Sequence, residues 1–594
     1  MRPIRSYIVT LFAAALFVAA CQPAPPPVVA DAEALAALAD ELWDRQLENN
    51  VSARLWKGLP VENLPDLSYE HAEAEAQFAQ TVLDRLAALD ETALEHDDWL
   101  TWAVFKRNAE VTTEGFQFYW YSNVLTPYMS AVAGLRQIFQ AAGVATPEER
   151  ATYLDLLGQV PTYVREVEML ARGNAEIGFV VSAQNMPAVI GLTRGTIAAA
   201  DAGMFAVAAA RIGSDDAEVD EAELEAFRAE MNRLVDEEVN PALESLVEYL
   251  ETDYAEAAPD GVGLSQYELG DAYYRYLVRF YTTMDVTPEE VRAIGYEMIA
   301  EMKTAMATIQ AEIGFEGTFE EFREHIQTSP EYYPTTPEEV DERIEDAANA
   351  FYARADEFFV RKPEAPFGAR RLNPALEASQ TYGYYNPPTG DDPVGYYNFN
   401  GSNLHERAWI NLKGLAYHEL FPGHHYQIMR VLEDDSLPEA RKAMMVTAYT
   451  EGWGSYSTFL GLEAGMIEDP ISQYGIYMLE IFLANRLVLD PGMNALGMSL
   501  EEARQFMRDN TFESETQIAT ESLRYSTDMP GQALGYQMGK RKLMEIRAHA
   551  EAELGDAFDL REFHEAVLSP GALPMTVLEE HIDWWIEQQR AGAE

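Results

Sequence analysis

The sequence predicts a mainly α-helical protein: one large helical body around a cleft, with a small antiparallel β-sheet beside the helix that carries its most reactive residues. Three observations predict it. Apolar residues recur at spacings of three and four through text rich in Ala, Glu, Leu and Arg. Threonine-proline-glutamate helix starts recur along the chain. The strand signal, aromatic segments bounded by turn formers, is concentrated between Ala378 and Leu412. The chain has 594 residues, 48% of them hydrophobic and 11% aromatic, which suffices for a large core and excludes global disorder. Its 42 Lys and Arg stand against 99 Asp and Glu, a net charge of −57. So negative a chain repels phosphate backbones, which excludes nucleic acid as a partner.

Residues 1–20 read as a signal peptide: Arg2 and Arg5 precede an apolar run from Ile8 to Ala20 in which only Thr10 is polar. The run is short of the ~20 apolar residues that a membrane span needs. Cys21 is the single cysteine, which rules out an intrachain disulfide and a thiolate zinc site. Val18-Ala19-Ala20-Cys21 resembles the bacterial lipobox, in which the cysteine becomes the lipidated N-terminus; the alternative is an ordinary signal peptide followed by a buried free thiol. By the same resemblance, Gln22 after the cysteine directs the protein to the outer membrane, facing the periplasm. Residues 21–30, rich in proline, form an extended spacer. The membrane is then contacted only through the N-terminal lipid.

Residues 31–594 read as one helical domain. Ala32–Glu48, Gln77–Leu89 and Ala217–Tyr249 carry the helical period most clearly. Thr146-Pro147-Glu148-Glu149, Thr287-Pro288-Glu289-Glu290 and Thr336-Pro337-Glu338-Glu339 each place a hydroxyl cap before proline, with acid in the first turn. These are structural punctuation without chemistry. Thr381–Tyr385 and Gly395–Asn400 read as strands of a small sheet, or else as an aromatic loop packed on the core.

Four of the ten histidines fall within His405–His425. The segment Tyr417-His418-Glu419-Leu420-Phe421-Pro422-Gly423-His424-His425 opens like the zinc-peptidase helix in which two histidines four apart bracket a glutamate. Here Pro422 occupies the fourth position. His424, six past His418, would be rotated by about 120° and displaced by about 9 Å on an unbroken helix. A break at Pro422-Gly423 that loops out two residues returns His424 to the required face. His425 shares that face but lies about two turns on, so it ranks second. Adjacent histidines can instead simply cap or pack. The functional reading is that Glu451, the single acid of a later apolar helical stretch, returns on a second helix to complete a two-histidine, one-glutamate site with one open position, with Glu419 beside it as general base.

These motifs, with the later Glu451-Gly452-Trp453, Glu521-Ser522-Leu523-Arg524-Tyr525, Pro530–Tyr536 and the earlier Gly270…Tyr273-Tyr274…Leu277…Thr282-Thr283, resemble the bacterial domain-of-unknown-function family numbered 885. The resemblance spans roughly Asp31 to the C-terminus. That family looks like a distant branch of the gluzincin metallopeptidases, which implies one Zn²⁺ on His418, His424 and Glu451, a catalytic Glu419 and a peptide substrate. Two departures from the wider pattern stand out: the stretch at Pro422-Gly423, and Ser455 where an aspartate often follows the ligand glutamate by four. The expected reaction is hydrolysis of peptide bonds. Tyr536, and after it Tyr525, are the candidate oxyanion donors. Arg524 either holds a substrate carboxylate or pairs with a neighbouring acid. The strand holding Tyr397 and Asn398 is the candidate for adding an extended peptide by β-augmentation, and Tyr384 and Tyr385 either line the cleft or pack in the core. Two other classes share these features: a lipid-anchored binding protein with a degenerate or structural metal site, and a zinc amidohydrolase or esterase acting on something other than peptides.

Overall fold

Thr146, Thr287 and Thr336 each accept a hydrogen bond from the backbone N–H three residues on, and the helices Pro147–Glu176, Pro288–Ile313 and Pro337–Tyr352 begin there. At Thr146 and Thr287 the glutamate side chain answers back to the cap's N–H, so two otherwise orphaned donors are satisfied at each start. In this computed structural model, residues 28–593 are described except 202–204, 206, 208–210, 212–220, 375–376, 378–380 and 390–391. The predicted signal peptide, Cys21 and most of the proline-rich spacer lie outside the described residues. The first helix, Val28–Asn49, begins inside the end of that spacer. Tyr69–Leu86 stops three residues short of the predicted Leu89. The predicted helix ending at Tyr249 is Glu221–Leu234 and Asn240–Tyr249, joined by one π turn over Val235–Val239.

The buried apolar residues form four clusters among the described residues. A smaller one is built from the helices between Ala131 and Tyr254. The largest joins the N-terminal helices to much of the chain after Val340, and Pro470–Asn494, buried along most of its length, is shared between it and two others. Pro288–Ile313 lies along that helix, and Thr447–Glu463 lies along Gly535–Leu554. The latter pair touches through glycines: a Cβ on Gly452 would come within 2.6 Å of the Gly539 backbone, and one on Gly539 would run into the Ala448 carbonyl. No helix among the described residues is long and apolar enough to cross a membrane.

The sheet is small, as expected, but mixed. Strands β1 (Phe367–Arg371), β2 (Gly383–Asn386) and β3 (Gly395–Phe399) lie in the order β1-β3-β2, with β1 parallel and β2 antiparallel to β3. The predicted antiparallel pair is present, with Tyr385 opposite Tyr397. The added parallel strand puts β3 in the middle. Both of its edges are therefore hydrogen-bonded, and it cannot accept a peptide; the expectation of β-augmentation at Tyr397 and Asn398 is overturned. Tyr397 is 1% exposed in the core, and Asn398 accepts from Arg370 Nε at 2.8 Å while donating to the Tyr396 carbonyl at 3.2 Å. The edge strands are β1 and β2.

Candidate metal centre

The chain does not bulge one helix at Pro422; it ends one helix and starts another. Leu412–Glu419 stops where Leu420 takes φ −104°, ψ −102°, and His424–Leu432 starts after Gly423 at φ −80°, ψ −130°. The Phe421-Pro422 bond is cis. Gly423 lies so close beneath the first helix that a Cβ there would run into the carbonyl of His418. The second helix is held from the outside: Trp453 Nε1 and Ser457 Oγ donate to the Pro422 carbonyl at 2.8 and 3.2 Å. Each residue of the Glu-Gly-Trp motif thus has a distinct job, Gly452 for the helix contact, Trp453 for the break, and Glu451 for the centre between them.

His418, His424 and Glu451 converge, with one ligand-type atom from each lying within 4.8 Å of the others. Both imidazole Nε2 atoms are 3.4 Å from Glu451 Oε2. A charge-assisted N–H···O⁻ bond settles nearer 2.7–2.9 Å. Ligands arranged tetrahedrally at about 2.05 Å from a zinc ion stand about 3.3 Å from one another, so these two separations have the length of tetrahedron edges. Among the described residues no other His, Cys, Asp and Glu group meets the same closeness. The donor set therefore fits a divalent cation.

His425 does not join them. Its Nε2 bonds to the Ala365 carbonyl at 3.0 Å, which requires Nε2 to carry the proton, and its Nδ1 then accepts from the Tyr385 hydroxyl at 2.9 Å. Fully buried with both nitrogens occupied, it has no lone pair to offer. We predict that His424→Ala abolishes stoichiometric metal binding, whereas His425→Ala keeps about one ion per chain at reduced stability, as read by elemental analysis and thermal melting.

Glu419 is buried next to the cluster with Oε2 unpartnered among the described residues. Burial first, and then the charge of Glu451, push its carboxyl up to about 8; the Tyr385 backbone N–H and His424 act the other way. A cation between His418, His424 and Glu451 opposes the Glu451 charge and favours the ionised base. Burial alone would raise Glu451, but the facing His418 and His424 overcome it and hold the carboxyl well below the usual range. Burial lowers His418, while Glu451 outweighs burial at His424 and raises it.

The His418 ring is fixed by packing. Gly454 lies flush against it, and the Tyr536 ring runs nearly parallel at 5.9 Å between centroids and 18° between planes. Ser455 does not orient it, since its Oγ is buried without a partner among the described residues. Tyr536 lines the cleft, with its hydroxyl pushed up to about 12 by burial and then by Glu451, so it stays a donor at neutral pH. Tyr525 is elsewhere: wholly buried, it donates to Glu521 and accepts from Arg486 Nε at 2.9 Å. That hydroxyl is committed, and the oxyanion role expected for it has no support in the geometry. Arg524 reaches the cleft and also pairs with an acid, Glu521, at 3.5 Å.

His418, Glu419, His424, Glu451, Arg524 and Tyr536 line a cleft of about 300 Å³ whose wall includes β2, with Tyr384 and Tyr385 on it. Sequence reasoning missed Tyr385 as the residue tying both Glu419 and His425, and it missed Arg486, which no local motif marks. The repeated glycine-tyrosine-tyrosine of β2 and β3 was the available signal for the first.

A mainly helical body with a buried two-histidine, one-glutamate cluster at the foot of a small mixed sheet defines the class of protein. The sequence profile of the family described as "Bacterial protein of unknown function (DUF885)" matches residues 54–582, and the chain belongs to that family. No curated protein matches it. The solved structures that share the fold include two that cover nearly all of this chain. One, described as "the putative lipoprotein from Colwellia psychrerythraea", superposes with a TM-score of 0.82 at 24% identity over 94% of this chain and 99% of that one. The other, "a putative lipoprotein of unknown function from Shewanella oneidensis", gives 0.66 at 17% identity, again over 94% and 99%.

Proposed function

We propose that the protein is a zinc-dependent peptidase of the bacterial cell envelope, held at the outer membrane by a lipid on Cys21. The observation that carries the reading is the convergence of His418, His424 and Glu451 at tetrahedral-edge distances, with a carboxyl oxygen of Glu419 next to them that has no partner among the described residues. The names of the two fold relatives and the lipobox-like residues support the envelope location.

A zinc ion on His418, His424 and Glu451 would polarise the scissile carbonyl and acidify a water molecule. Glu419 takes the proton that this water loses as its oxygen bonds to the carbonyl carbon. The same carboxyl then gives the proton to the amine nitrogen as the C–N bond breaks, and transfer of the water's second proton from the new carboxyl group to that nitrogen leaves a carboxylate and an ammonium group. Tyr536 donates its O–H to the oxygen on which negative charge collects. The edge of β2 runs along the cleft, where an extended peptide can pair with the strand.

The test is a peptide-library digest on protein stripped with a chelator and then reloaded. We expect cleavage with one zinc per chain, loss on stripping and return on readdition. If no peptide is cut by the zinc-replete protein, the peptidase reading fails. Hydrolysis of other amides or esters in the same assay would then select the non-peptidase alternative.

A further inference from the structure

The end of the cleft beyond Tyr536 is cationic in a chain that is otherwise strongly acidic. Arg486, from the middle of Pro470–Asn494, and Arg524, at the end of Glu515–Leu523, are 4% and 7% exposed, and both line the cleft that holds Glu419 and the metal cluster. They share one carboxylate: Arg486 Nη2 donates to Glu521 Oε2 at 3.2 Å, and Arg524 Nη1 lies 3.5 Å from Glu521 Oε1. Their other partners are neutral, the Tyr525 hydroxyl for Arg486 and the Gln532 side-chain carbonyl, at 2.8 Å, for Arg524. Arg486 Nη1 and Arg524 Nε are buried with no acceptor among the described residues.

The guanidinium N–H groups at this end outnumber the acceptors that face them. Burial would raise Glu521, but Arg524 and Arg486 outweigh it and hold the carboxyl at about 2, fully ionised. Three neighbouring acids, Glu513, Asp528 and Asp490, are pushed up to about 7 by burial, and they take hydrogen bonds from Tyr382, Asn185 and Tyr274. Glu521 is the acid that both guanidinium groups contact, and it leaves Arg486 Nη1 and Arg524 Nε unanswered. Buried guanidinium groups are ordinarily paired, and N–H groups left without acceptors carry a desolvation cost that an incoming anion removes. The position is informative as well. The Tyr536 ring lies 5.9 Å from the His418 ring and 4.5 Å from the Arg486 guanidinium carbon, so one aromatic ring separates the cationic end from a metal-cluster histidine. An extended chain advances about 3.3 Å per residue, so a group on Arg486 belongs to a residue one to three places past the bond at the cluster.

On its other side the cleft continues past Tyr385, Ile428, Met445 and Thr450 into a recess of about 350 Å³ walled largely by apolar side chains, among them Trp56 and Leu432. The two ends ask for different chemistry, an anion at one and an apolar side chain at the other.

We infer that the substrate is a short peptide whose free C-terminal carboxylate is held by Arg486 and Arg524, with an apolar residue preceding the cleaved bond in the Trp56–Leu432 recess, so that cleavage removes the C-terminal end. The inference rests on the peptidase reading for cleavage but not for binding. An acidic side chain just past the cleaved bond offers the same carboxylate, and the experiment separates the two sources.

Three peptides of one apolar sequence serve as probes: the free acid, its C-terminal amide, and an amide with glutamate as the last residue. Binding is measured by calorimetry on zinc-loaded Glu419→Gln protein, and kcat/KM on the zinc-loaded wild type. The free acid is expected to bind about 10- to 100-fold tighter than either amide, the range of charge-assisted hydrogen bonds, with kcat/KM following and cleavage confined to the C-terminal end. In Arg524→Gln the acid-to-amide ratio is expected to fall towards one, and Arg524→Lys, which keeps the charge, to recover part of it. Equal binding of all three peptides overturns the inference, and the glutamate amide matching the free acid overturns its C-terminal part. If the free acid is preferred in binding while no peptide is cut, the carboxylate site stands and the peptidase reading alone falls.

Discussion

Glu419→Gln is expected to lose hydrolysis by about 10²- to 10⁴-fold, the range for removing a positioned general base, while retaining its full complement of metal. The substitution is nearly isosteric, and the carboxylate oxygen it alters has no partner to lose among the described residues. The Tyr385 backbone N–H that faces Glu419 still finds a side-chain carbonyl to donate to. The fold should therefore be undisturbed, and removing an acid whose charge is costly when buried should hold or raise thermal stability. The combination is diagnostic. A ligand variant such as Glu451→Gln loses metal and activity together, whereas Glu419→Gln separates them. Metal analysis, a melting curve and a turnover assay on the same preparation read all three quantities. A zinc-loaded Glu419→Gln protein with wild-type turnover would remove Glu419 from the chemistry and with it the mechanism argued above.

The elements that could be read from the sequence are those specified within one turn. Threonine before Pro-Glu-Glu starts a helix because its hydroxyl and the glutamate meet backbone N–H groups three residues apart, and neither partner depends on the rest of the fold. His418 and His424 were also readable, because Pro-Gly between them can break or bulge a helix, and a break is what lets histidines six residues apart meet. What escaped depends on partners far along the chain. Phe367–Arg371 has neither the alternation nor the aromatics of β2 and β3; it becomes a strand because it lies beside β3, and that pairing turned the expected edge strand into the central one. Tyr525 sits in the same motif as Arg524, yet the π turn at Arg524–Asp528 places its hydroxyl on Glu521, four residues back, rather than in the cleft. Arg486 lies within continuous apolar helix text, and its meaning comes from Glu521, Tyr525 and Tyr536, none of which is within thirty residues of it.

The same dependence on distant partners makes a methyl group at Gly454 more damaging than its size suggests. Gly454 lies three residues past Glu451 on one helix, and a Cβ there would sit 2.7 Å from Cε1 and Nε2 of His418 and 2.9 Å from Nδ1. These are three atoms of one flat ring, so no small torsion relieves the contact. The imidazole cannot tilt far, because Tyr536 runs nearly parallel to it and its Nε2 faces Glu451. The helix cannot back away without drawing Glu451 from the cluster and disturbing the Gly452–Gly539 contact behind it. Either adjustment moves a ligand. Gly454→Ala is expected to weaken metal affinity by about 10- to 100-fold, as changes behind a ligand do, and to cost about 1–3 kcal/mol of stability through overpacking. Gly134→Ala supplies the contrast: that glycine is exposed in the helix Ala131–Ala141, nothing lies within 4 Å of its Cβ position, and helix propensity favours the alanine by about 1 kcal/mol. It should raise the melting temperature and leave metal binding alone. Metal titration and thermal melts of the two variants decide the matter, and a Gly454→Ala protein that binds zinc as tightly as wild type would mean that His418 is not held against this helix.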